Sequence, residues 1–205
     1  MDVITILLLG IGAFFLGACP FSLWVGRWFL HKDIRQYGDA NPGAWNVMRA
    51  GGRKSFGLAM ILDGAKGILV VLLADLVFNL SLPVILSVGF CAILGHAFSP
   101  FLRFRGGKAV AVTLGVLVAL PDREMFFAVL ACTVLSVLLV EAHAWVVVLG
   151  VAGGLAFITF TDFDLARLVF LVGVLSVYIY RCFPELKTGP GYKGVLVHLI
   201  QAVRR

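Results

Sequence analysis

Residues 3–30 read VITILLLGIGAFFLGACPFSLWVGRWFL, 28 positions of which one, Arg27, is charged. A membrane-spanning helix needs about 20 apolar residues, so this run predicts a crossing. It lacks a positively charged start and continues far past the ~7–15 apolar residues of a secretory h-region, which argues against a cleaved signal peptide. Pro20 has no backbone N–H, so it predicts a kink or break inside the run. The rest of the chain repeats the pattern. Further apolar runs cover 56–78, 82–101, 107–120, 125–140, 144–160 and 165–183. The fourth and fifth are short. They are counted as crossings because a re-entrant segment would need shielding of its backbone from lipid. The expected fold is an all-α integral membrane protein of seven helices, with 1–205 forming one domain. Composition agrees: 61% of the 205 residues are hydrophobic, 14% are charged, and mean hydropathy is +1.03.

Charge sets the expected orientation. The loop after the first helix carries Lys32, Arg35, Arg49, Arg53 and Lys54, and the loop after the third carries Arg103, Arg105 and Lys108. The C-terminal segment carries Arg181, Lys187, Lys193, Arg204 and Arg205. The alternate loops hold only Arg123 and Arg167, each beside acids (Asp122 and Glu124; Asp162 and Asp164). The positive-inside rule then places the N-terminus outside and the C-terminus in the cytoplasm. The net charge of +6 is mostly topological, and no nucleic-acid recognition motif accompanies it. Cys19, Cys91, Cys132 and Cys182 are too scattered for a disulfide frame or a metal site, and no cofactor is expected.

Three polar constellations interrupt this pattern. Phe104-Arg105-Gly106-Gly107-Lys108 is a basic glycine loop ahead of an apolar run read as a helix. Backbone N–H groups at the glycines, the Lys108 charge and the helix N-terminus would together suit a phosphate-sized anion. A basic loop retained by topology alone is the plainer alternative. Asp63 and Lys66 lie three apart on one face of the second helix. Either they form an internal ion pair that packs helices, or Lys66 faces an anion cavity while Asp63 orients it. His96 ends the third helix close to the glycine loop, as a base, a donor to an oxyanion or an ordinary interfacial residue. His31, His143 and His198 lack such neighbours. The third constellation, from Asp33 to Arg49, combines turn residues with Asn41, Asn46, Arg35 and Arg49, and arginine binds phosphate bidentately.

Together these segments resemble the bacterial acyl-phosphate-dependent glycerol-3-phosphate acyltransferases. The family motif D-I-R-x-x-G-S-G-N-x-G-A-T-N-x-x-R-x-x-G is matched by Asp33, Ile34, Arg35, Gly38, Asn41, Gly43, Ala44, Asn46, Arg49 and Gly52. L-D-x-x-K-G is matched by Leu62, Asp63, Lys66 and Gly67. G-H…F-[KR]-G-G-K-G-V-A-T is matched by Gly95, His96, 104–108, Val110 and Ala111, and an upstream segment by Gly17, Pro20, Phe21 and Gly26. Departures are specific. The motif serine is Asp39, the glycine after it Ala40, the threonine Trp45, and the last glycine of G-G-K-G is Ala109. Ala18 replaces a serine, Glu141-Ala142-His143 replaces a Y-V-S turn, and the C-terminal Y-R-H-R-x-N-I loses its histidine and asparagine at Cys182 and Glu185-Leu186.

The resemblance implies acyl transfer from acyl phosphate to glycerol-3-phosphate, giving 1-acyl-glycerol-3-phosphate and phosphate for phospholipid biosynthesis. The site would face the cytoplasm from a bacterial inner membrane. His96 and Lys108 become the candidate catalytic residues. Arg35, Asn41, Gly43, Asn46, Arg49, Asp63, Lys66, Gly106 and Gly107 become the candidate substrate contacts. A mixed anhydride carries its own good leaving group, so positioning and charge neutralisation suffice. In keeping with this, the chain has no G-x-S-x-G elbow and no evident Cys/His dyad. A carboxylate at 39 would repel a substrate phosphate unless Arg49 or Arg35 paired with it. The alternatives are a paralogue using another acceptor, a non-catalytic relative, or an anion transporter. A transporter would concentrate polar residues at mid-membrane, in broken helices.

Overall fold

The computed structural model describes residues 2–193; His198, Arg204 and Arg205 of the basic tail lie outside the described residues. The described chain is helical, and its one isolated β-bridge joins Val140 to Tyr192. It divides into two compact units, Met1–Arg123 and Glu124–Arg205.

In the first unit, α1 (Val3–Ala18) starts at Asp2, whose carboxylate accepts from the Thr5 N–H and caps the first turn. The helix stops before Cys19-Pro20, and α2 (Phe21–Leu30) restarts the chain. Pro20 therefore produces a break. A short helix, α3 (Ala44–Arg49), follows the polar loop. Then comes α4 (Arg53–Leu72), which runs into a π-turn at Leu73–Val77. Helix α5 (Leu82–Ala97) leads to a 3-10 turn at Pro100–Leu102 and to α6 (Val110–Ala119). Helices α4 and α6 pack backbone to backbone. A Cβ on Gly67 would strike Val112 O, and one on Gly115 would strike Gly64 O, so only small residues allow this approach.

Beneath the polar loop lies a small apolar core. Ile34 and Val47 are fully buried with Leu23 and Val25 of α2, Ala44 and Ala50 of the α3 region and Ala59 of α4. These contacts hold loop 31–52 onto α2 and α4. Lys32 donates to Ala50 O at 2.8 Å, satisfying a carbonyl that the end of α3 leaves free.

The second unit contains α7 (Glu124–Leu139), α8 (His143–Thr161) and α9 (Leu165–Leu186). Gly150, Gly153 and Gly154 of α8 leave room for Thr133, Cys132 and Val129 of α7. Arg167 pairs with Asp162, one of the acids that accompany it in sequence, and at 3.5 Å with Glu124 from the start of α7. At the other end the backbone at 139–142 is bonded to 190–193, with Glu141 N–H donating to Gly191 O and Ala142 N–H to Pro190 O.

Five helical stretches among the described residues are long and apolar enough to cross a membrane: Val3–Leu30, Arg53–Val77, Leu82–Leu102, His143–Thr161 and Leu165–Leu186. The two remaining runs form apolar helices of 10 and 16 residues. At 1.5 Å per residue, α6 covers about half of a ~30 Å hydrocarbon core. It is short because Leu120-Pro121 ends it and because residues 107–109, expected to start it, are taken up by the loop.

Candidate active site

The break at Pro20 creates the first half of the site. Ending α1 inside an apolar stretch strands the carbonyls of its last turn, and these need donors. Ser99 donates to Ala18 O at 2.6 Å. Lys66 reaches across from α4 and donates to Gly17 O at 3.0 Å and Cys19 O at 2.9 Å. The same ammonium lies 2.8 Å from Asp63 Oδ1 and 3.0 Å from His96 Nδ1. Asp63 in turn accepts a short hydrogen bond from the buried Ser22 hydroxyl. Lys66 and Asp63 are each 2% exposed. Three N–H groups thus serve four neighbours, all of them protein. Lys66 thus makes the internal ion pair with Asp63 that is one of the two roles the sequence leaves open for it.

This clamp constrains His96. A lysine ammonium can only donate, so Nδ1 carries the lone pair and the neutral ring carries its proton on Nε2. Nε2 lies against Gly107, where a Cβ would overlap it. The His96 ring is therefore packed directly beside the glycine loop.

The glycine loop differs from its expected role. Gly106 N–H donates to Ala97 O at 3.2 Å and Gly107 N–H to His96 O at 3.0 Å. These two N–H groups satisfy the carbonyl end of α5. A side chain at Gly106 would strike His96 O, so glycine is required there for close approach of two backbones. The effect is to seat Lys108 at the start of α6, buried at 9% exposure.

Lys108 meets the polar loop. Its Nζ lies 2.6 Å from Asp39 Oδ2. The other oxygen of Asp39 accepts from Asn46 Nδ2 at 2.9 Å and lies 3.4 Å from Arg49 Nη1. Asn46 also donates to Asn41 O at 2.8 Å, and its own oxygen accepts from Arg49 at 3.0 Å. Gly43 passes close to the Asn41 amide. Burial pushes the Asp39 carboxyl up. Lys108, through both its hydrogen bond and its charge, outweighs that together with the Asn41 and Asn46 donors, and the group sits below its ordinary value.

Arg35 stands apart from this group. Its guanidinium grips Asp33 at 2.6–3.2 Å. That hydrogen bond, against the opposing effect of burial, holds the Asp33 carboxyl down to about 2, with Arg27 adding its charge. Of the eleven sequence candidates, Asn41, Gly43, Asn46, Arg49 and Lys108 form one cluster. Asp63, Lys66 and His96 form a second, buried one, linked to the first by Gly106-Gly107. Ser22 and Ser99 complete the buried cluster without having been expected in it. Single serines in apolar runs carry no signal of their own. Asp39 sits at the centre of the cationic cluster, paired with Arg49 as anticipated and with Lys108.

The chain that carries these motifs is similar to known proteins. The family profile described as glycerol-3-phosphate acyltransferase matches residues 7–188. The glycerol-3-phosphate acyltransferases of Streptococcus pyogenes serotype M5 (strain Manfredo) and serotype M49 (strain NZ131) are each 38% identical over 115 residues. That match covers 56% of this chain and 54% of theirs, so the chain spans about half the length of the curated relatives it matches. Two crystal structures of PlsY (YgiH), an integral membrane glycerol 3-phosphate acyltransferase, are similar in fold. The glycerol 3-phosphate form superposes with a TM-score of 0.76 at 28% identity, over 95% of this chain and 98% of that one. The lysophosphatidic acid form gives 0.77 at 28%, over 94% and 97%. With five apolar helices of spanning length and a match across nearly its whole described length, this multi-pass membrane chain belongs to the glycerol-3-phosphate acyltransferase family.

Proposed function

We propose that this chain transfers an acyl group from acyl phosphate to glycerol-3-phosphate, releasing phosphate and 1-acyl-glycerol-3-phosphate. The observation that carries this is the convergence of Lys108, Arg49 and Asn46 on one anion. The acceptor hydroxyl oxygen attacks the carbonyl carbon, and the bond from that carbon to the oxygen bridging it to phosphorus breaks. The electron pair leaves with phosphate, and the hydroxyl proton passes to that phosphate or to solvent. No acyl-enzyme is needed, because the anhydride is already activated. Lys108 and Arg49 offset the repulsion between two phosphate-bearing substrates and the charge that grows on the leaving group. His96, held as an Nε2–H donor by Lys66, adds a hydrogen bond beside Lys108 and does not act as the base. Asp63, Lys66, Gly106 and Gly107 hold these groups in place, and Arg35 with Asp33 braces the loop.

The chain acts as a single functional domain in a bacterial inner membrane. It makes seven crossings, with the N-terminus outside and the site facing the cytoplasm. Support comes from the placement of the basic loops. Two experiments test this proposal. Detergent-purified protein given acyl phosphate and glycerol-3-phosphate should release phosphate and form lysophosphatidate in equal amounts; release without the lipid product refutes the transfer. An Asn79→Cys variant should label from outside intact cells while Lys54→Cys stays protected, and the reverse pattern refutes the orientation.

A further inference from the structure

The cationic cluster already holds an anion of its own. Asp39 reaches Lys108 at 2.6 Å, Asn46 at 2.9 Å and Arg49 at 3.4 Å. These are the partners a phosphate oxygen would use, and the carboxylate spans all three. The Lys108 side chain is only 10% exposed, so a second anion has little independent access to it. A phosphate arriving beside Asp39 would also place like charges at hydrogen-bond range. The Asp39 side chain keeps 23% of its surface open to solvent. It lies in a turn stabilised by its own hydrogen bond from the Asn41 N–H at 3.3 Å. The carboxylate thus has an exit, and phosphate binding becomes an exchange at one set of donors.

We propose that Asp39 is a built-in competing anion that a substrate phosphate must displace from Lys108, Arg49 and Asn46, making it the residue that sets how tightly this chain holds phosphate. Only the identity of that phosphate, donor or acceptor, rests on the acyl-transfer proposal. Elsewhere along this polar loop the donors are committed: Arg35 to Asp33, and Lys32 to Ala50 O.

The test compares the full-length parent with Asp39→Ser and Asp39→Asn in detergent. Binding of inorganic phosphate is measured by equilibrium dialysis, with melting curves to confirm folding. Both variants should bind phosphate about tenfold or more tightly than the parent, the smallest change expected from removing a charge at hydrogen-bond range. Adding Lys108→Ala to Asp39→Ser should remove the gain. If Asp39→Ser does not fold, the near-isosteric Asp39→Asn carries the comparison. Steady-state kinetics then distinguish the sources. A fall in KM for glycerol-3-phosphate assigns the cluster to the acceptor phosphate, and a fall for acyl phosphate assigns it to the donor. Phosphate binding that is equal in all proteins, or undetectable in all, overturns the inference. Acylated product absent from every protein overturns the acyl-transfer proposal instead, and the dialysis result still decides the role of Asp39.

Discussion

Lys66 Nζ lies 3.0 Å from His96 Nδ1, joining α4 to α5 across 30 residues of sequence. The same ammonium closes the broken end of α1. One buried charge therefore does two jobs: it replaces the hydrogen bonds lost at Pro20 and it fixes the tautomer of the ring behind the glycine loop.

Lys66→Met should be strongly destabilising. It would strand two carbonyls and leave Asp63 as a buried carboxylate without its cation. Removing one partner of such a pair costs ~3–5 kcal/mol. Ser99→Ala, which frees only the Ala18 carbonyl, should cost about 1 kcal/mol. Melting midpoints in detergent check both, and an unshifted Lys66→Met variant would refute the clamp.

Gly106→Ala should fail to fold or melt far below the parent, because its Cβ would run into His96 O. The substitution keeps the backbone N–H, so a loop that merely bound anions through that group would tolerate it. Gly57→Ala is the control. Its Cβ would meet open space in α4, and the change should be neutral or stabilising by ~0.5–1 kcal/mol.

Ala40 and Ala109 have φ of 57° and 61°, and both stand where the related family motif has glycine. The left-handed region costs an L-residue about 1–2 kcal/mol. Part of that is offset by the entropy glycine loses on folding. Ala109→Gly and Ala40→Gly should each stabilise by about 1 kcal/mol, read as raised melting midpoints. Lowered midpoints would show that the strain is absent.

Lys108→Ala should lower kcat by about 10²–10³, the usual effect of removing one preorganised donor to developing charge. The melting midpoint should move little, since Asp39 keeps Arg49 and Asn46. Near-parental turnover would exclude a direct role for Lys108.

Asp33 and Asp39 both lie below their ordinary carboxyl value, Asp33 at about 2 against 3.8. A depressed folded-state value means the stabilisation is complete above the unfolded value and is lost as pH falls through the folded one. Amide protection in loop 33–49 should hold constant from pH 7 to about 4 and decline only below that. Hydrogen exchange corrected for intrinsic rates checks this, and a decline already between pH 7 and 5 would contradict the pairing.

What the sequence determined alone is what depends on short spacings. Apolar runs of spanning length, the break at Pro20 and the three-residue offset that pairs Asp63 with Lys66 all follow from local periodicity and from a missing N–H. The motif residues around Asn41, Arg49 and Lys108 were likewise visible, and Arg49 was an anticipated partner for Asp39. The tertiary structure decided where each donor is spent, because hydrogen bonds link groups far apart in sequence. Lys66 turns inward onto carbonyls 47 and 49 residues away, and the glycine N–H groups bond the last carbonyls of α5. Lys108 meets Asp39 across 69 residues. No spacing rule reaches that far: a cation and a carboxylate in different loops pair only when packing brings those loops together.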